Sequence, residues 1–258
     1  MKLFTYATSP YGAKVYFYCL YKNIAFDTVY VDPVRKGEIK PFGFRQVPVL
    51  SIGETARIES TDLGCWLDDV FPEPPLLPSD RAARGRVLEI VRWVDDELIH
   101  YTFRSIFDSE TATSWLTRGW RLGAIVKATS GVPSWTTPLW PILLRRAGFI
   151  RRIVASRPRE EPMAWVRARH VQEFLSYLGE GPFLAAQPRP TLADLSVYAR
   201  LWLTAVTGGL AFDAFMAKPA VRAWIARVEA QLPRAPTLIP ERFRRNRYPL
   251  AATPLAAA

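Results

Sequence analysis

Apolar and polar positions change rhythm once along this chain. Before about residue 70, short apolar runs alternate with helical spacing; beyond about residue 80 helical spacing dominates. "KLFTY" (2–6) reads as a buried strand, and residues 11–23 read as a helix with Val15, Tyr16, Cys19 and Leu20 on one face. "AFDTVYV" (25–31) has the aromatic and β-branched content of a second strand. "VPVLSI" (47–52) and "ARI" (56–58), separated by "GET", read as a hairpin. A helix from Ser60 follows, with Leu63, Trp66, Leu67 and Val70 at i, i+3, i+4 and i+7. Together these make a compact α/β unit. "FPEPPLLPSD" (71–80) has four prolines and reads as a linker.

Past the linker, Val87, Ile90, Val91, Val94 and Leu98 predict one helix over about 82–107. Val171, Phe174, Leu175 and Leu178 make a second stripe, Leu195, Tyr198, Ala199, Trp202 and Val206 a third, and "AVRAWIARVEAQL" (220–232) a fourth. Residues 108–160, rich in Trp, Pro and Gly, read as irregular helix packing, with a lid-like excursion as the alternative. The tail "LAATPLAAA" reads as mobile.

Composition narrows the classes. The 258 residues are 49% hydrophobic, enough for a buried core. Cys19 and Cys65 form no disulfide framework, and the two His, His100 and His170, have no companion at ligand spacing, so no metal site is expected. No signal peptide or membrane-length apolar run is seen, and a cytoplasmic location is the expectation. The net charge of +10 raises the nucleic-acid class, but apart from one cluster in "RFRRNRYP" (242–249) the Arg residues are spread along helical stretches, and the same field steers small anions.

Two motifs carry possible chemistry, and a third has a structural meaning. In "ARIESTDLGCWL" a strand ends and Glu59-Ser60-Thr61 opens a helix, whose free N–H groups suit a carboxylate while Glu59 suits an amine. Locally, Ser60 as a plain N-cap and Glu59 as a solvated charge is the better reading. In "QVPVL", a cis bond before Pro48 would turn the Val47 backbone out to pair with an extended peptide. In "PRPTLADLSVYA", Thr191 and Asp194 form a capping box at the start of a core helix. Upstream, Ser9 stands before Pro10 at a strand-to-helix turn, where capping alone explains it.

Taken in order, "SPYGAKV", "QVPVL", "IES" and "PTLADLSVYA" resemble a cytosolic glutathione S-transferase over nearly the whole chain. The resemblance implies an α/β thioredoxin-like N-terminal domain (1–75) and an all-α helical C-terminal domain (82–245), with a mobile tail at 246–258. It implies glutathione as cosubstrate, a cis Pro48, backbone pairing of Val47 with the cysteinyl part, and Glu59 and Ser60 on the γ-glutamyl group. Ser9 falls where this family places its thiol-activating residue, with Tyr6 and Tyr11 as alternates; no Cys stands there, which favours thiolate attack over disulfide exchange. "VYVDP", "ESTDLGCWLDDVFPE" and "RWVDDEL" are also similar to bacterial glutathione-dependent β-etherases. Trp93, Tyr101, Phe103, Phe107, Trp115 and Trp120 are candidate walls for a hydrophobic, aromatic electrophile. A homodimer, with neither nucleic-acid binding nor membrane insertion, is implied. The rivals are a catalytically silent binding or scaffold protein and a protein anchored to membranes through the basic, apolar segment 138–155.

Overall fold

Strand β1 (Lys2–Thr5) sends Leu3 to the helical side of the sheet and Phe4 to the other. It pairs in parallel with β2 (Asp27–Tyr30) and antiparallel with β3 (Val49–Ile52), which pairs antiparallel with β4 (Thr55–Arg57). The order β2-β1-β3-β4 needs a crossover between its parallel pair, and α1 (Pro10–Tyr21) supplies it. With α2 (Ser60–Val70), this is a thioredoxin-like unit. The computed structural model describes residues 1–107, 112–156, 161–208, 211–246 and 248–252.

The remainder is helical. α3 (Arg81–Trp93) is capped by Asp80, whose carboxylate accepts from the Ala83 N–H at 2.7 Å. The single helix expected over 82–107 is interrupted: a π-helical turn at Val94–Ile99 separates α3 from α4 (His100–Arg104). Within 108–160 the described residues form α5 (Ala112–Ser130), α6 (Trp140–Arg146) and α7 (Gly148–Ala155). α8 (Met163–Leu178), α9 (Leu192–Thr207), α10 (Ala211–Met216) and α11 (Pro219–Ala230) complete the bundle.

α9 is buried along its whole length, which explains its apolar sequence all round. Its capping box forms as the spacing predicts. Asp194 accepts from the Thr191 N–H and hydroxyl (2.9 and 3.0 Å), the Leu184 N–H (2.9 Å) and the Trp224 indole (2.8 Å). Burial still pushes its carboxyl up to about 6. The proline-rich stretch after α2 is pinned. Asp68 accepts from the Leu76 and Leu77 N–H groups and pairs with Lys22 at 2.7 Å, while the Lys22 ammonium also donates to the Phe71 and Pro74 carbonyls.

The mobile tail expected from residue 246 is corrected for 248–252. Leu250 is fully buried, and the Glu229 carboxylate accepts from the Leu250 and Ala251 N–H groups at 2.6 and 3.2 Å. Residues 253–258 lie outside the described residues. Among the described residues no helix is long and apolar enough to cross a membrane.

His170 on α8 is packed edge-on against Trp93 and Tyr101; its Nε2 has no hydrogen-bond partner among the described residues and lies 3.6 Å from the Glu97 carboxylate. Burial lowers its pKa from 6.5 to about 4, against the pull of Glu173. The unfolded chain therefore binds a proton between these pH values that the folded chain resists, and this group's contribution to stability is lost as pH falls from 6.5 through 4. Asp194, with its carboxyl raised, acts with the opposite sign over part of that range. A comparison with His170→Gln isolates the histidine. The stability difference between wild type and variant, measured by urea unfolding, shifts in the variant's favour by about 3 kcal/mol between pH 7 and pH 4. A pH-independent difference would refute it.

Candidate active site

The turn after β1, the loop before β3 and the start of α2 face α4, α6, α7 and α9 across a cleft of about 1120 Å³. The turn is set by two residues. Pro10 is the first residue of α1, where its missing N–H costs nothing. A Cβ at Gly12 would lie 1.7 Å from the Thr5 hydroxyl oxygen, so only glycine lets α1 begin this close to β1.

Ser9 caps α1, its Oγ accepting from the Gly12 N–H at 3.1 Å. Its own O–H has no acceptor among the described residues, although the residue is only 7% exposed and lines the cleft. A hydroxyl accepts and donates at once, so the oxygen that caps the helix keeps a proton to offer a ligand. Tyr6 and Tyr11 line the same cleft. Burial, then Asp32 and Glu38, pushes the Tyr6 phenol up to about 12; burial, then Asp95, Asp96 and Glu59, raises Tyr11 as well. Both phenols are protonated at neutral pH. Cys19 is buried and its thiol is pushed up to about 12, which suits packing rather than chemistry.

The Val47–Pro48 bond is cis, and the Val47 N–H and C=O have no partner among the described residues. Glu59 holds φ 69°, ψ 108°, a region that a residue with a Cβ rarely adopts. It occupies the N-cap position of α2 without a side-chain cap. The local expectation that Ser60 is the cap is thereby corrected: Ser60 is the first helical residue. Because the chain enters α2 through this unusual backbone, the Glu59 and Ser60 side chains both line the cleft. The first-turn N–H groups of α2 lack acceptors among the described residues, leaving its positive end open.

A buried ion pair braces the two sides. Lys14 on α1 is wholly buried, and its Nζ lies 2.6 and 2.8 Å from the carboxylate oxygens of Asp95 in the π-helical turn. The Thr61 hydroxyl, on α2, is 3.4 Å from the same carboxylate. Burial lowers the Lys14 pKa, and the contact with Asp95 opposes that shift.

The six aromatic candidates separate. Tyr101 and Phe103 line the cleft. Trp93 is instead core: its indole donates to Glu173 at 2.7 Å and its ring packs edge-on to Tyr177. Phe107 is outside the cleft lining, beneath the Arg145 guanidinium at 5.9 Å. Trp120 is 48% exposed and donates to the Pro138 carbonyl at 3.1 Å, away from the cleft. The Trp115 side chain lies outside the described residues. Its helix-spaced neighbours give no way to tell wall from core in advance.

Sequence reading missed Asp95, Thr61, Leu143, Phe149 and Arg200, all of which line the cleft. Two of them carried a signal. Asp95 is a carboxylate inside an otherwise apolar helical stripe, and Arg200 is a lone cation in the apolar run of α9.

A family model described as glutathione S-transferase, N-terminal domain, matches residues 3–75. Human glutathione S-transferase theta-2 is 26% identical over 239 residues, covering 90% of this chain and 82% of its own length. The crystal structure of beta-etherase LigF from Sphingobium sp. strain SYK-6 is similar with a TM-score of 0.59 at 22% identity, over 89% of this chain and 94% of that one. That of human glutathione transferase theta-2, in complex with glutathione and an unknown ligand, is similar with a TM-score of 0.57 at 24% identity, over 92% and 83%. At these identities the two structures bear on the fold.

Removing one partner of the buried pair leaves an uncompensated charge. Asp95→Ala is expected to lower unfolding free energy by about 3–5 kcal/mol, whereas Lys14→Met with Asp95→Leu costs far less. Chemical denaturation checks both; equal losses for the single and double variants would refute the pairing argument.

Proposed function

This chain belongs to the glutathione S-transferase superfamily, and we propose that it binds glutathione in the cleft and uses the thiolate to attack a hydrophobic, aromatic electrophile. Glutathione is the cosubstrate. The observation that carries the reading is the convergence at one cleft of a cis Val47–Pro48 bond with an unpaired backbone, the open end of α2 with Glu59 and Ser60, and the Ser9 hydroxyl at the start of α1.

In this reading the γ-glutamyl carboxylate sits on the N–H groups and hydroxyl of Ser60, and its ammonium on Glu59. The cysteinyl unit pairs with the Val47 backbone. Its sulfur meets the Ser9 hydroxyl, which donates while its oxygen stays held by Gly12. Lowering a thiol pKa by about two units requires about 2.7 kcal/mol of preferential thiolate stabilisation. One donor hydroxyl plus a helix N-terminus is of the right size to supply much of it. Tyr6 and Tyr11 are the weaker alternates, because their raised pKa makes them poorer donors. The thiol proton leaves to solvent, a C–S bond forms, and the leaving group departs with its electron pair. Tyr101 and Phe103 supply the aromatic wall on the helical side. The working unit in this reading is a homodimer.

The alternative of a silent, glutathione-binding scaffold keeps the cleft without activation. Ser9→Ala separates the two. The bound-thiol pKa, read from thiolate absorbance, rises by one unit or more, and turnover of an aryl halide and an aryl ether falls about 10²-fold. An unchanged thiol pKa with unchanged rates would overturn the role of Ser9. Thiolate absorbance absent from wild type would favour the scaffold. The ratio of ether to halide turnover tests the β-aryl ether branch.

A further inference from the structure

α9 runs through the middle of the molecule with every residue buried, yet one of them is an arginine. Arg200 is only 5% exposed, and that small exposure is to the cleft, which it lines with Leu203 and Thr204 from the same helix. Its Nε donates to the Leu98 carbonyl at 3.2 Å, an oxygen that also accepts from the Thr102 hydroxyl at 2.9 Å. This bond uses one of five guanidinium donors. No hydrogen bond or ion pair joins Arg200 to a carboxylate among the described residues. Its charged neighbour is Arg118, another cation, and burial brings its pKa down only to about 10, so it is charged at neutral pH.

Burying a guanidinium without an anion is costly, and a structural bond to one carbonyl does not need a full positive charge. The electrostatic surroundings reinforce the point. Arg118, Arg152 and Arg167 line the same cleft from α5, α7 and α8, and each of these three helices contributes no described carboxylate to it. Arg118 also donates to the Ser105 hydroxyl at 2.9 Å, and Arg167 to the Tyr101 hydroxyl at 3.1 Å. Among the described residues that line the helical side of the cleft, the acid is Asp95, which is neutralised by Lys14.

We propose that the electrophile carries a carboxylate, which docks on the free edge of the Arg200 guanidinium and sets substrate choice. The planar fork of Arg200 matches a carboxylate in two parallel hydrogen bonds, and the aromatic body of the substrate lies against Tyr101 and Phe103. The inference rests on the proposed transferase reading, because it assigns the second half of the same cleft. It makes Arg200 a specificity-determining residue with no part in activating the thiol.

The test pairs 4-chloro-3-nitrobenzoate with its neutral carboxamide, both attacked by a thiolate with loss of chloride. Rates with free glutathione thiolate correct for ring electronics, which favour the amide. Corrected kcat/KM is expected to favour the benzoate by about tenfold or more in wild type. Arg200→Met removes the preference, and Arg200→Lys restores part of it. A wild type with no corrected preference, or a preference that Arg200→Met leaves intact, would overturn the proposal. The wild-type ratio decides even if the variant does not fold. Calorimetric binding of the unreactive 4-nitrobenzoate against 4-nitrobenzamide separates this proposal from the transferase reading. No turnover of either electrophile with selective benzoate binding rejects the transferase reading and keeps the subsite. Turnover with equal binding of the two does the reverse.

Discussion

Helix α1 has almost no exposed face, because it is held between the sheet and α9. Phe17 meets the rings of Tyr198 and Trp202 edge-on at 5.1 and 5.4 Å, and the Tyr18 hydroxyl lies 2.6 Å from that of Ser196. This seam makes one continuous core from the α/β unit and the helices. It also fixes where Ser9, at the start of α1, stands relative to residues far away in the chain. A buried aromatic seam of this kind resists sliding, since small displacements leave voids or clashes. The geometry of the cleft is inherited from it.

Charge is then placed against this rigid frame. Lys14 leaves α1 on the side of the π-helical turn and finds Asp95 there, so the local widening that breaks the α3–α4 helix presents a carboxylate at the cleft. The same turn contains Leu98, whose carbonyl holds one edge of Arg200. Two buried cations thus depend on one irregular turn, one neutralised and one turned toward the cleft. Glu59 is the third constrained site, its left-handed backbone aiming two side chains inward at the mouth of α2.

Legibility differed sharply between features with local causes and features with distant ones. The four strands, the helix from Ser60 and the Thr191–Asp194 capping box depend on neighbours a few residues away, and the pattern anticipated each with small end errors. The π-helical interruption was invisible, because an apolar stripe through Val94 and Leu98 continues with little change when one residue is inserted. The docking of Leu250 onto Glu229 was missed because a small-residue tail looks alike whether packed or free. Among the aromatics, Trp93 at the end of α3 and Tyr101 in α4 have similar character in the sequence. Only the positions of Glu173 and Tyr177 on α8 draw the first into the core.

By itself the sequence determined the order of elements, the cis-prone Val47–Pro48 dipeptide, and the polar residues that begin α1 and α2. These are short-range consequences of proline chemistry, apolar period and capping. Tertiary structure alone decided that Ser9, Val47 and Ser60 share one cleft, that Asp95 reaches Lys14, and that Arg200 faces the opening rather than a carboxylate. Those relations join positions separated by tens to hundreds of residues. They arise from how α1 seats on α9, a packing solution that no local pattern encodes.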